Sequence, residues 1–230
     1  MVTYRFCGQM CNLCHEIYTV FYYCKKNNIS YDNITFPLNE YSRLGRSINY
    51  IQNRKEFFIN IWKYFKDPYY SIIKNIPTYE YNYVVKNKIV SDNIVFVNFK
   101  WEYPGKDLEL FKELFYNKEL FSRLYNKYNY IDKNTIGVHV RRTDFTKYET
   151  LENIYKKIDS IFTNQKIIIF SDDIEWCKNN IVKYKDIVYM EGNKDYEDLI
   201  LLSMCNKIIK NPRSTFSDIA EVFNKVFYND

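Results

Sequence analysis

The feature that most constrains this chain is the alternation running through residues 136–230. Four short, mostly β-branched runs occur there: Ile136-Gly137-Val138-His139-Val140, Ile167-Ile168-Ile169-Phe170, Ile187-Val188-Tyr189-Met190 and Ile208-Ile209. Between and after them lie stretches with helical spacing of apolar residues, over 149–163, 173–184, 195–206 and 215–228. Strand–helix repeats of this length predict βαβ units on a parallel sheet. Asp195 and Ser214 or Thr215 stand where helix N-caps are expected. Ligands of such sheets sit beyond the carboxyl ends of the strands. The polar residues that follow each run are therefore the candidate site.

The earlier residues are less regular. A strand is expected over 2–7, a helix over 14–27, a strand over 94–97, and helices over 107–116 and 118–128, with a turn at Pro104-Gly105. This reads as a smaller, partly helical α/β lobe, and the division expected is 1–132 and 133–230. Ile, Asn, Lys, Tyr and Phe make up about half of the chain and Ala occurs once. That bias follows AT-rich codons, so the 19% aromatic content and the formal charge of +5 carry little functional weight. Basic chains attract nucleic acid, but no basic cluster has the spacing of a recognition module, so nucleic acid is not an expected partner. No run of about 18 apolar residues exists, and the start lacks a signal-peptide core. A cytoplasmic protein of bacterial or viral origin, without a transmembrane segment, is expected.

Cys7, Cys11 and Cys14, followed by His15, have the spacing with which radical-SAM enzymes hold an iron–sulfur cluster. Three thiolates and an imidazole would also suit zinc. The alternative is that these cysteines pack as small hydrophobes. Five glycines in the whole chain are few for the cofactor loops of a radical-SAM barrel, so the cluster stands as the less favoured reading.

His139-Val140-Arg141-Arg142-Thr143-Asp144 follows the first of the four runs. Only eight arginines occur, and an adjacent pair at a strand's carboxyl end suits a diphosphate, which guanidinium groups grip bidentately without a metal. Asp144 is spaced to pair with Arg141. After the second run, Asp172 and Asp173 open a helix, where capping is the first expectation and ligation the second. After the last, Asn211-Pro212-Arg213-Ser214-Thr215-Phe216-Ser217 leads into a helix whose free N–H groups and hydroxyls would form an anion site.

Taken in order and at their spacings, HVRRTD, FSDDIEWCKNN, DYEDLILLSMC and NPRSTFS resemble the nucleotide-binding half of the bacterial-type α-1,2-fucosyltransferases. HVRRTD also resembles the related α-1,6-fucosyltransferases. The resemblance is close over 136–217 and looser before it. Where the family has a glycine-rich loop of the type GGxGNQxFQ, this chain has Arg5-Phe6-Cys7-Gly8-Gln9-Met10-Cys11-Asn12, keeping Gly8 and Asn12.

The resemblance implies a GT-B-like α/β fold of two Rossmann-like lobes with parallel sheets, the first shortened. It implies inverting, metal-independent transfer of fucose from GDP-fucose to a hydroxyl of a glycan, with α-1,2 linkage, and no cofactor beyond the donor. An α-1,6-type transferase and an inactive GDP-sugar-binding protein are the alternatives. Carried over by position, Arg141 would hold the donor's β-phosphate and Arg142 the loop or the second phosphate. His139 and Asp198 would contact guanine or ribose, Thr215 and Ser217 the pyrophosphate, and Asp172 and Asp173 would shape the guanosine pocket. Glu149 falls at the place of the α-1,6 family's general base, whose lysine partner is Phe145 here. Gly8, Asn12 and His15 fall on the acceptor side.

Overall fold

Aromatic side chains supply nearly half of the buried apolar residues in the amino-terminal part of the chain. The computed structural model describes residues 1–6, 9–38, 50–66, 75–98, 102–142 and 149–228. Met1–Asn117 form one unit and Lys118–Asp230 a second.

In the first unit, β1 (Val2–Tyr4), α1 (Met10–Lys26), β2 (Phe36–Pro37), β3 (Phe65–Lys66), β4 (Thr78–Glu80), α2 (Tyr81–Lys86), β5 (Ile94–Val97) and α3 (Leu108–Phe115) follow in order. β1, β5 and β4 form a parallel sheet in that order, and β2 and β3 pair in parallel beside it. α1 buries Leu13, Ile17, Val20, Phe21 and Cys24, an apolar stripe at helical spacing. Phe21, Phe36, Phe65 and Phe58 continue it as a chain of ring contacts 5.6–6.1 Å apart. The helix begins at Met10, four residues before the expected start, because Met10-Cys11-Asn12-Leu13 contains no breaker. Asn12 accordingly lies in the first turn of a helix, and β1 ends at Tyr4 instead of residue 7.

The second unit comprises α4 (Lys118–Lys127), β6 (Thr135–Val140), α5 (Leu151–Asp159), β7 (Lys166–Ser171), α6 (Ile174–Asn180), β8 (Ile187–Tyr189), α7 (Asp195–Met204), β9 (Lys207–Ile209) and α8 (Thr215–Tyr228). All four strands are parallel, in the order β8-β7-β6-β9. The division between the units falls at 117/118, whereas the sequence suggested 132/133. Packing of α4 explains the difference: Phe121 lies against Phe223 and Phe227, and Arg123 pairs with Glu197 at 3.2 Å.

Strand alternation sorts side chains between the two faces of this sheet. Ile136, Val138 and Val140, with Ile167 and Ile169, form a core with Ile154 and Ile158 of α5 and Cys177 of α6. Gly137 and His139 point the other way, toward α7 and α8. A Cβ built on Gly137 would lie 2.6 Å from Leu202 Cδ1 and 2.9 Å from Cys205 Sγ. Glycine at this position lets α7 sit directly on the central strand. Together these features make an α/β fold with parallel sheets.

Candidate active site

From β6 the chain steps through β7 to β8 and then crosses back to place β9 on the other side of β6. The reversal opens between β6 and β9, the position where open parallel sheets receive ligands. Arg141 and Arg142 follow β6 at this gap, and Asn211–Ser217 follow β9. The two edges are tied together. With its amide oriented to satisfy both neighbours, Asn211 accepts a hydrogen bond from the Arg141 backbone N–H at 3.2 Å. Ser217 Oγ lies 2.8 Å from His139 Nδ1 and accepts the Asn211 backbone N–H at 3.2 Å. The His139 ring also packs on Phe216, with centroids 4.8 Å apart. Burial lowers the His139 pKa to about 3; Asp172 opposes this and Arg141 adds to it. At neutral pH the imidazole is therefore uncharged.

Ser217 is fully buried, so its hydroxyl faces His139 and not an open anion site. Ser214, just before α8, presents a buried hydroxyl with no hydrogen-bond partner among the described residues, beside helix N–H groups that favour an anion. The sequence offered Ser214 both as a cap and as part of the anion-binding segment 211–217. Thr215 is the first residue of α8, and Arg213 holds a left-handed backbone at φ 62°.

Arg142 lies with its guanidinium over the Trp176 ring, 3.8 Å from the centroid. Its backbone N–H donates to Asp172 Oδ1 at 2.8 Å, which ties the end of β6 to the end of β7. Stacking fixes the plane of the guanidinium, and Nε is buried without a partner among the described residues. Asp173 is the N-cap of α6: it accepts the Trp176 N–H at 3.1 Å and donates its own to Ser171 Oγ at 3.0 Å. Capping, the first expectation for this residue, is what the geometry gives.

Glu149 is buried and paired with Lys157, whose Nζ also donates to the Lys210 carbonyl after β9 at 3.3 Å. Lys157, from the second turn of α5, thus partners the carboxylate whose expected lysine is replaced by Phe145. Oε2 is engaged, while Oε1 is buried without a partner among the described residues. Asp144 and Phe145 lie outside the described residues, as do Cys7 and Gly8.

On the acceptor side, Asn12 is half-buried in α1, and His15 is buried in the same helix. Burial lowers the His15 pKa to about 4, against a backbone hydrogen bond with Glu102. Cys11 and Cys14 are buried in α1 as well. Among the described residues no group of three or more His, Cys, Asp or Glu side chains is placed to hold a metal ion.

Asp198, in the first turn of α7, accepts from Asn193 Nδ2 at 2.9 Å, and Tyr128 hydroxyl in turn donates to Asn193 Oδ1 at 2.6 Å. Burial raises its pKa from 3.8 to about 6; the Asn193 hydrogen bond opposes this, and Glu197 and Asp195 add to it. A pKa raised by folding contributes stability that is full below the unfolded value and lost as pH rises through the folded one. Above pH 6 the ionised carboxylate therefore costs stability, at most about 3 kcal/mol for a shift of this size. Asp198→Asn keeps the Asn193 hydrogen bond without the charge. Its melting temperature should match the parent near pH 4 and exceed it by several degrees at pH 7.5. A difference that does not grow with pH would refute the assignment.

Residues 121–225 match the family described as Glycosyl transferase family 11. The matched stretch lies within the second unit and includes β6 to β9. Two Escherichia coli proteins are similar to the chain. An alpha-1,2-colitosyltransferase is 38% identical over 92 residues, covering 30% of each chain. The O-antigen biosynthesis glycosyltransferase WbnK is 31% identical over 111 residues, covering 41% of this chain and 36% of WbnK. These matches thus span about a third of each curated relative. Solved structures resemble the chain over nearly its whole length. NodZ alpha-1,6-fucosyltransferase soaked with GDP-fucose aligns over 96% of this chain and 91% of its own, with a TM-score of 0.59 and 14% identity. POFUT1 in complex with GDP aligns over 97% and 95%, with a TM-score of 0.56 and 14% identity. The fold is GT-B-like, as the resemblance implied, and the residues at the β6–β9 gap lie within the stretch that the family model matches. No helix among the described residues is long and apolar enough to cross a membrane.

Proposed function

We propose that this chain is a fucosyltransferase that takes fucose from GDP-fucose and delivers it to a hydroxyl of a glycan, with inversion, without a metal, and in α-1,2 linkage. The observation that carries the reading is the β6–β9 gap. It combines two arginines, a neutral buried histidine and the amino end of a 14-residue helix headed by a buried serine hydroxyl that has no partner among the described residues. Such a set suits the diphosphate of a nucleotide sugar. The GDP-bound and GDP-fucose-soaked neighbours support guanosine diphosphate as the leaving group, and the colitosyltransferase relative supports the α-1,2 linkage.

In the reaction, the bond from the fucosyl anomeric carbon to the β-phosphate oxygen breaks as a bond to the acceptor oxygen forms on the opposite face. GDP leaves with the electron pair. Arg141 neutralises the charge growing on that phosphate, and Ser214 with Thr215 at the start of α8 would receive its oxygens. Arg142, stacked on Trp176, holds the loop. Asp198 would take guanine or ribose, with Asp172 and Asp173 shaping the pocket around it. The acceptor's proton goes to a base, for which Glu149 Oε1 is the candidate atom. Asn12 and His15 belong to the unit expected to meet the glycan.

The test is calorimetric titration with GDP, UDP, ADP and dTDP in EDTA. Selective binding of GDP is the expected result, and equal binding of all four would sink the donor assignment. Transfer from GDP-fucose to a glycan then separates an enzyme from an inactive GDP-sugar-binding protein. The linkage in the product separates α-1,2 from the α-1,6 type that the NodZ likeness raises.

A further inference from the structure

The buried hydroxyl of Ser217 has two described neighbours, and their chemistry fixes its proton. The Asn211 backbone N–H is only a donor, so it occupies a lone pair of Oγ. A buried O–H left without an acceptor is costly. Among the described residues the one acceptor within reach is His139 Nδ1, 2.8 Å away. Ser217 therefore donates to Nδ1, and the proton of the neutral ring resides on Nε2. No residue among those described accepts from Nε2.

We propose that Ser217 is a positioning residue that locks His139 as a neutral Nε2–H donor, aimed at an oxygen of the nucleotide's phosphate or ribose. Phe216 holds the ring from the side, and Asn211 links the same serine to the turn that holds the Arg141 backbone. One hydroxyl thus sets the rotamer and tautomer of a ligand-facing ring and fastens the two edges of the gap. His139 is a hydrogen-bond donor in this arrangement and not a proton acceptor, so the base must be sought elsewhere. The identity of the ligand rests on the function proposed above; the tautomer does not.

The chain contains two histidines, so long-range ¹H–¹⁵N spectra of histidine-labelled protein resolve both rings, and His139→Gln assigns them. The expected result is a neutral His139 with a protonated Nε2 and a bare Nδ1. In Ser217→Ala the signals should move toward the other tautomer or a mixture, with the Kd for GDP rising about tenfold. Ser217→Thr, which restores the hydroxyl, should return both. A protonated Nδ1 in the parent, or ring signals unmoved in Ser217→Ala, overturns the proposal. If Ser217→Ala does not fold, the parent and Ser217→Thr spectra still decide, since both must show the Nε2–H form. If the ring signals behave as stated but GDP does not bind, Ser217's role stands and the nucleotide reading falls.

Discussion

Arg141→Ala should lower kcat for fucosyl transfer by about 10²–10³, the range seen when a single charge-stabilising group is removed from a transition state. In the proposed reaction GDP departs with the bonding electron pair, so negative charge grows on the β-phosphate oxygen as the fucosyl bond breaks. With no metal in the proposed mechanism, a guanidinium has to meet it. Arg141 stands where β6 ends, and its backbone N–H is held by Asn211 from the strand across the gap. Arg142 does not substitute for it, because its guanidinium is committed to the face of Trp176. The loss should fall mainly on kcat and less on KM, since the interaction strengthens as charge develops. Arg141→Lys should recover only part of the rate, because an ammonium cannot grip two phosphate oxygens in one plane. The half-exposed side chain is no part of the core, so melting should be nearly unchanged. Initial rates with GDP-fucose, beside a melting curve of the same preparation, check both statements. A stable Arg141→Ala protein with rates within a few-fold of the parent would remove Arg141 from the mechanism.

Much of this unit was legible in the sequence because strand and helix signals there are strong and local. The four β-branched runs became β6 to β9, and the helix expected over 215–228 has those bounds. Asp173 as a cap was legible for the same reason, since capping is decided within three residues. The first unit was harder. Its core is filled by Phe and Tyr side chains that occur throughout the chain, so burial left little periodic trace. The start of α1 was misplaced because the family pattern puts a loop where Met10-Cys11-Asn12-Leu13 simply continues a helix.

In the site, the sequence pointed to the right strand ends but not to which polar group meets which. Ser217 looked like a phosphate ligand, and only the approach of α8 to β6 shows it turned inward to His139. Lys157 was invisible as the partner of Glu149, because the two residues meet across a helix turn whose phase was unknown. Trp176 under Arg142 and Asn193 under Asp198 likewise join segments far apart or differently phased. Such pairings follow from packing, which no local pattern encodes.

Gly137→Val should unfold the second unit or leave it barely stable. Gly137→Ala should lower the melting temperature by about 4 °C or more. Two effects compete in the alanine variant. Removing glycine from a strand reduces the entropy of the unfolded chain and favours folding by about 0.5–1 kcal/mol. Against this, the new Cβ would stand 2.6 Å from Leu202 Cδ1, 2.9 Å from Cys205 Sγ and 3.1 Å from Cys205 Cβ. Leu202 and Cys205 have no exposed surface into which to retreat. Overpacking of this kind costs about 1–3 kcal/mol, so the clash outweighs the entropy. Valine adds two further methyl groups, and the sum approaches the whole stability of a typical domain. β6 itself has no freedom to move, since Gly137 is in register with Ile168 on one side and Ile208 on the other. Relief must come from α7 lifting off the sheet, and α7 packs on α8, which carries Ser217. Gly137→Ala should therefore also weaken GDP binding at a distance, by loosening Ser217 from His139. Adding Leu202→Ala to Gly137→Ala makes room for the new methyl, so the double variant should be more stable than the sum of the single losses predicts. Urea unfolding of the four proteins gives that coupling energy. A Gly137→Ala variant as stable as its parent, with additive losses, would mean that α7 does not rest on β6 at this glycine.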